Sequence, residues 1–96
     1  MLILVTYDIN VTSPSGQKRL RKVAKRCENC GIRVQSSVFE CVVDMTQYEK
    51  LKHDLLKIID PDADSLRLYN LGDRYSTKVE HFGAKRTIRV EDTLIL

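Results

Sequence analysis

The chain has 96 residues, 43% of them hydrophobic and 30% charged, with a formal net charge of +3 and a pI near 8.8. This balance excludes a disordered or low-complexity polymer and fits one small domain, which at this size buries only roughly 60 to 65% of its unfolded surface and gains from dimerisation. The opening apolar run is far short of the roughly 18 residues needed to span a bilayer, so no membrane partner is expected.

Met1-Leu-Ile-Leu-Val-Thr-Tyr-Asp8-Ile-Asn10 begins the chain with an apolar run that ends in a carboxylate. Leu2 to Val5 lack alternation, the pattern of a central strand covered on both faces, and Thr6 and Tyr7 carry the β propensity onward. Asp8 then stands at a sheet rim, either as the start of a turn or as a rigidly held acidic group. Ile9 to Gly16 is rich in turn formers, with Ser13 and Pro14 suited to helix entry, and a helix begins near Ser15 or Gly16. Leu20, Val23, Ala24, Cys27 and Cys30 recur at helical spacing as its apolar face, and Gly31 is placed to end it. The opposite side carries Lys18, Arg19, Arg21, Lys22, Lys25 and Arg26. Six cations so concentrated form either a solvated face or a surface for polyanions, and spacing alone does not separate the two.

Ile32 to Asp44 is β-rich, and Ser36-Ser37 divides it into two strands. Thr46-Gln-Tyr-Glu49 has the capping-box pattern ahead of a second helix, whose apolar face is Tyr48, Leu51, Leu55, Ile58 and Ile59 and which Asp60-Pro61 stops. Ser65 to Leu71 alternates as a strand with Leu66 and Leu68 on one face. The resulting β-α-β-β-α-β order is the ferredoxin-like α+β sandwich, an antiparallel sheet with two helices on one side and the first and third strands at its centre. Residues 1–82 make this domain and 83–96 an extension. Thr77 to Phe82 reads as a further short strand, and Thr93-Leu-Ile-Leu96 as a final apolar strand that would expose an unpaired edge. It is expected to pair with the sheet of a second protomer.

Cys27-Glu-Asn-Cys30 offers two thiolates at zinc-ligand spacing, but no second pair follows, and both cysteines continue the helix's apolar face. They read as core residues. His53 falls on the polar side of the second helix and His81 among charged neighbours, neither beside a recognisable nucleophile. Three cysteines, with no leader sequence ahead of the first strand, lead to the expectation of a reduced cytoplasmic protein. Asp8 is the remaining candidate. One carboxylate holds magnesium poorly, whereas two brought together by a two-fold axis make a credible shared site.

The opening strand Val5-Thr-Tyr-Asp8-Ile9, the basic helix ending at Gly31, Ile32-Arg-Val-Gln-Ser-Ser-Val-Phe-Glu-Cys41 and Asp64-Ser-Leu-Arg-Leu-Tyr-Asn-Leu71 together resemble the CRISPR-associated Cas-two family of spacer acquisition. The resemblance covers essentially the whole chain. It implies a ferredoxin-like homodimer whose C-terminal strand joins the partner's sheet. It implies one Mg2+ (or Mn2+) held between the two Asp8, with Asp8 and Tyr7 as catalytic residues. Arg19, Arg21, Lys22, Arg26, Arg33 and Phe39 are then expected at the nucleic acid. The implied activity is metal-dependent endonucleolytic hydrolysis, with duplex DNA preferred and single-stranded RNA the alternative. The other implied role is that of a non-catalytic DNA-binding adaptor bridging dimers of the Cas-one integrase.

Overall fold

The computed structural model describes residues 1–83, in which the elements run β1 (Leu2–Asp8), α1 (Pro14–Glu28), β2 (Gly31–Gln35), β3 (Val38–Val42), α2 (Met45–Ile58) and β4 (Ser65–Asn70). Four strands form one sheet in the order β2-β3-β1-β4, every neighbouring pair antiparallel. This is the expected ferredoxin-like plan with the first and third strands at the centre. Ile3, Val5 and Tyr7 join Val23 and Cys27 of α1, and Leu51 and Leu55 of α2, in a single core. Both helices therefore cover the same face. Side chains alternate along a strand, so Leu4, Thr6 and Asp8 point to the open face. The unbroken apolar run of β1 thus reflects Leu2 and Leu4 on a face that no helix of the described residues covers.

Helix entry follows the local chemistry. Ser13 caps α1 by accepting from the Gly16 amide at 3.2 Å, and Pro14 opens the helix, slightly earlier than expected. Gly16 is required there, because a Cβ would overlap the Asn10 carbonyl and stand 3.2 Å from Val11 Cα. The helix ends at Glu28, with Asn29 as its C-cap, and Gly31 instead begins β2. The capping box of α2 is Asp44 with Gln47, not Thr46 with Glu49: Asp44 Oδ1 accepts from the Gln47 amide at 2.7 Å, and Gln47 Oε1 accepts from the Asp44 amide at 2.8 Å. Both pairs have the same spacing, but Asp44 is the one still extended after β3.

Ser36-Ser37 is the β2–β3 hairpin turn, and the register shifts between Arg33 and Gln35. Thr77 to Phe82, expected as a strand, is not one. The Lys78 amide donates to the Tyr75 carbonyl at 2.9 Å, and its ammonium to the Leu71 carbonyl at 2.9 Å, so the chain turns back on the end of β4. The expected final strand, Thr93 to Leu96, lies outside the described residues. No helix of the described residues is long and apolar enough to cross a membrane.

Asp64 ties the loop after β1 to the rest. Its side chain has no exposed surface, and it accepts from Arg19 Nε at 2.7 Å, Arg19 Nη2 at 3.2 Å, the Asn10 amide at 3.0 Å and the Asp60 amide at 2.9 Å. The Arg19 guanidinium first, then the two amides, hold its carboxyl at about 2, below the ordinary 3.8 and against the opposing effect of burial. A carboxyl depressed on folding contributes stability that is present above its unfolded pKa of roughly 3.9 and lost as pH falls through the folded value. Wild-type protein should therefore lose stability between about pH 4 and pH 2. Asp64→Asn should lower the melting temperature at pH 7 by roughly 5–15 °C and remove that part of the acid transition, as measured by thermal melts across pH. Phe39 has no exposed surface and sits at the centre of the core. Phe39→Ala should cost about 3–5 kcal/mol in urea unfolding.

Candidate metal and nucleic-acid site

Asp8 ends β1 directly opposite Ser65 of β4, where the antiparallel ladder fixes its backbone. Two residues later the Asn10 amide is held by Asp64. The Asp8 side chain is exposed and, among the described residues, has no hydrogen-bond or ion-pair partner. A carboxylate positioned by rigid backbone on both sides yet free at its oxygens suits a ligand role.

Its neighbours on the open face are Thr6 and, across the ladder, Ser65 and Arg67. Arg67 is exposed and its guanidinium lies 5.2 Å over the Tyr69 ring. Sequence reasoning passed over Arg67, although its place between Leu66 and Leu68 in an alternating strand points it away from the core.

Tyr7 does not share this face. It is 6% exposed, its ring stacks on Phe39 with centroids 6.3 Å apart, and its hydroxyl donates to the Ser36 carbonyl at 3.4 Å. Burial pushes its pKa upward while Arg33 opposes the shift, so the phenol is a poor proton donor at neutral pH. Within one chain the expected catalytic pair Tyr7 and Asp8 is thus divided between the two faces of the sheet, because adjacent strand residues alternate. Phe39 is likewise inside, with no ring surface to offer a base. Its role is to carry Arg33, whose guanidinium lies 5.1 Å over the ring and 3.6 Å from Glu28.

The six cations of α1 separate into two sets. Arg19 is closed on Asp64, and Arg26 donates to Asp54 at 2.8 Å, a carboxylate that Lys50 also approaches at 3.7 Å. Both arginines were expected at the nucleic acid, and both are held by acids brought from distant sequence. Lys18, Arg21, Lys22 and Lys25 are exposed and have no ion-pair partner among the described residues. Positions 18, 22 and 25 share one side of the helix, with 21 beside them.

Oxygen donors suit Mg2+ or Mn2+, and the Asp8 carboxylate fits that chemistry. Among the described residues no three His, Cys, Asp or Glu side chains gather as a metal site. His53 and His81 are exposed. Cys27 and Cys41 are buried and Cys30 half-buried, with all three sulfurs free of disulfides.

The model of the family described as CRISPR associated protein Cas2 matches residues 1–79. The chain is 60% identical over 95 residues to a CRISPR-associated endonuclease Cas2 of Halalkalibacterium halodurans, covering 99% of each. It is 55% identical over 96 residues to a CRISPR-associated endoribonuclease Cas2 of Chlorobaculum tepidum, covering 100% of each. The crystal structure of Streptococcus pyogenes Cas2 at pH 6.5 superposes with a TM-score of 0.75 at 51% identity, over 86% of this chain and all of that one. Matched over residues 1–79 by the family model and along essentially its whole length by these relatives, the chain belongs to the CRISPR-associated protein Cas2 family.

Proposed function

We propose that the chain is a magnesium-dependent endonuclease of CRISPR spacer acquisition, acting in the cytoplasm as a homodimer on duplex DNA. The observation that carries this reading is Asp8: an exposed carboxylate without a partner among the described residues, fixed at the end of the central strand. The names of the relatives support phosphodiester cleavage, one as an endonuclease and another as an endoribonuclease.

A second chain completes the ligand set, since two Asp8 on a two-fold axis double the oxygen donors. The open face supports such pairing: Leu4 and Val42 are only partly buried there, and Tyr69 is 38% exposed. The Asp8 carboxylates of the two chains would hold Mg2+ or Mn2+, which when bound would supply Lewis-acid chemistry toward a phosphate. Asp8 presents its carboxylate from a rigid strand end. Arg67, on the same face, neutralises phosphate charge, and the lysines and arginine of α1 hold the flanking backbone. Tyr7 supports the end of β1 from beneath. Arg33, half exposed over Phe39, is the β2 cation positioned for phosphate.

Asp8→Asn should reduce magnesium-dependent cleavage of duplex DNA by roughly a hundredfold or more, while changing stability by less than about 0.5 kcal/mol. Cleavage assays with magnesium or chelator, alongside thermal melts, measure both. Undiminished cleavage by the variant would remove Asp8 from the mechanism. Single-stranded RNA in the same assay distinguishes the endoribonuclease alternative.

The free stripe of Lys18, Arg21, Lys22 and Lys25 favours a second role, an adaptor that grips DNA by its backbone and bridges Cas-one integrase dimers. Phosphate contact of this kind needs no metal. Arg21→Ala and Lys22→Ala should each reduce the slope of log affinity against log salt by about one, equally for unrelated duplex sequences. Asp8→Asn should leave metal-free binding unchanged. Fluorescence anisotropy across salt concentrations tests both statements.

A further inference from the structure

Two thiols, of Cys30 and Cys41, meet where the end of α1 lies against β3. Cys30 Sγ is 3.2 Å from Cys41 Sγ and 3.5 Å from the Cys27 carbonyl oxygen. Cys30 is half-buried and lines a cavity of about 240 Å³, whose polar walls include Arg26, Asn29, Gln47 and Lys50. Cys41 is fully buried behind it. The approach of the two sulfurs depends on Gly31, since Cys41 Sγ would lie only 2.6 Å from a Cβ at that position. Neither the Asp8 rim nor the free cations of α1 use this cluster.

We propose that Cys30 is a peroxide-reactive thiol and Cys41 its resolving partner, the two forming a reversible disulfide that fastens the end of the basic helix to the sheet. In the first step the Cys30 thiolate attacks one oxygen of hydrogen peroxide. An S–O bond forms, the O–O bond breaks, and the departing hydroxide takes a proton to become water, leaving Cys30 as a sulfenic acid. In the second step Cys41 gives up its proton and attacks the Cys30 sulfur. An S–S bond forms, the S–O bond breaks, and hydroxide leaves with that proton as a second water. Two thiols have lost two electrons and peroxide has gained them. A dithiol reductant reverses the change.

The surroundings select Cys30 for the first step. Cys41, hydrogen-bonding to its sulfur, and the Arg26 guanidinium favour the thiolate and hold its pKa at about 7. Burial pushes Cys27 up to about 12, so that thiol stays protonated and unreactive. Cys41 is pushed up mainly by its hydrogen bond to Cys30, an effect that ends when Cys30 becomes a neutral sulfenic acid. The cavity admits a small oxidant to Cys30, while Cys41 is fully buried and does not line it. Closing the bond requires the sulfurs to move from 3.2 Å to roughly 2.05 Å. The resulting loop encloses all of β2 and the hairpin turn, and so fixes the strand that carries Arg33. In a reducing compartment such a bond is transient, as a redox-responsive pair requires.

The full-length protein, fully reduced and then treated with stoichiometric hydrogen peroxide, should lose two of its three free thiols and a mass of two hydrogens without forming a covalent dimer. Non-reducing peptide mapping should link Cys30 to Cys41, and dithiothreitol should restore all three thiols. Cys30→Ser should abolish the loss, and Cys41→Ser should trap a dimedone-reactive sulfenic acid on Cys30. Should Cys41→Ser fail to fold, the map of the native protein still decides. A Cys27–Cys30 bond, a disulfide between chains, or three thiols surviving peroxide would each overturn the proposal.

Discussion

The arrangement at the sheet rim depends on one buried charge. Asp64 carries a carboxylate with no exposed surface, which is costly unless every acceptor site is filled. Arg19 supplies two hydrogen bonds and the amides of Asn10 and Asp60 one each, so α1, the loop after β1 and the entry to β4 converge on one side chain. A surface ion pair would contribute little. This one is desolvated, bidentate and reinforced by backbone, and it fixes the chain two residues beyond Asp8. The free carboxylate at the rim is held in place by the satisfied one beneath it.

The sheet then assigns its two faces different work. Beneath the helices, Tyr7, Phe39 and Leu55 form a core so tight that none exceeds 6% exposure. On the open face, the same strands present Asp8, Thr6, Arg67 and Tyr69. The rings of Tyr7 and Phe39 are consumed in packing rather than offered to nucleobases. The cations left exposed suit phosphate rather than base edges, and this argues for recognition of backbone over sequence. The proposed metal reading rests on pairing two copies of Asp8, for which the partly apolar open face offers a surface.

Much of this was legible in the residues themselves. An unbroken apolar run, a β-rich stretch and one alternating segment located four strands, helical apolar spacing located two helices, and the predicted helix faces of Leu20, Val23 and Cys27, and of Leu51 and Leu55, do pack in the core. The roles of individual polar and aromatic residues were less legible. Helical spacing places Arg19 and Arg26 on the basic side of α1, but their acids lie 45 and 28 residues away, and only the tertiary fold brings them together. The buried placement of Tyr7 and Phe39 was not read although its signal was present: Tyr7 continues the Ile3-Val5 face of its strand, and that face is the buried one. Thr77 to Phe82 has strand-forming residues, yet a turn at Tyr75 to Lys78 directs it away from a sheet edge. Local propensity does not encode that turn's hydrogen bond to Leu71.

The division of charge along α1 changes what its basic composition means. Counted in sequence, six cations fit a solvated face and a surface for polyanions equally. In the fold, Asp64 and Asp54 remove the two arginines at positions 19 and 26, leaving Lys18, Arg21, Lys22 and Lys25 as a narrower stripe. The removed pair is also the pair with structural consequences. Arg19 fixes the Asp8 rim, and Arg26 sits between Asp54 of α2 and the Cys30 thiol at the opposite end of the helix. One helix thus braces the carboxylate rim at its start, presents four exposed cations along its length, and ends beside the Cys30 sulfur. Any covalent change at Cys30 acts on the element that also organises the rim.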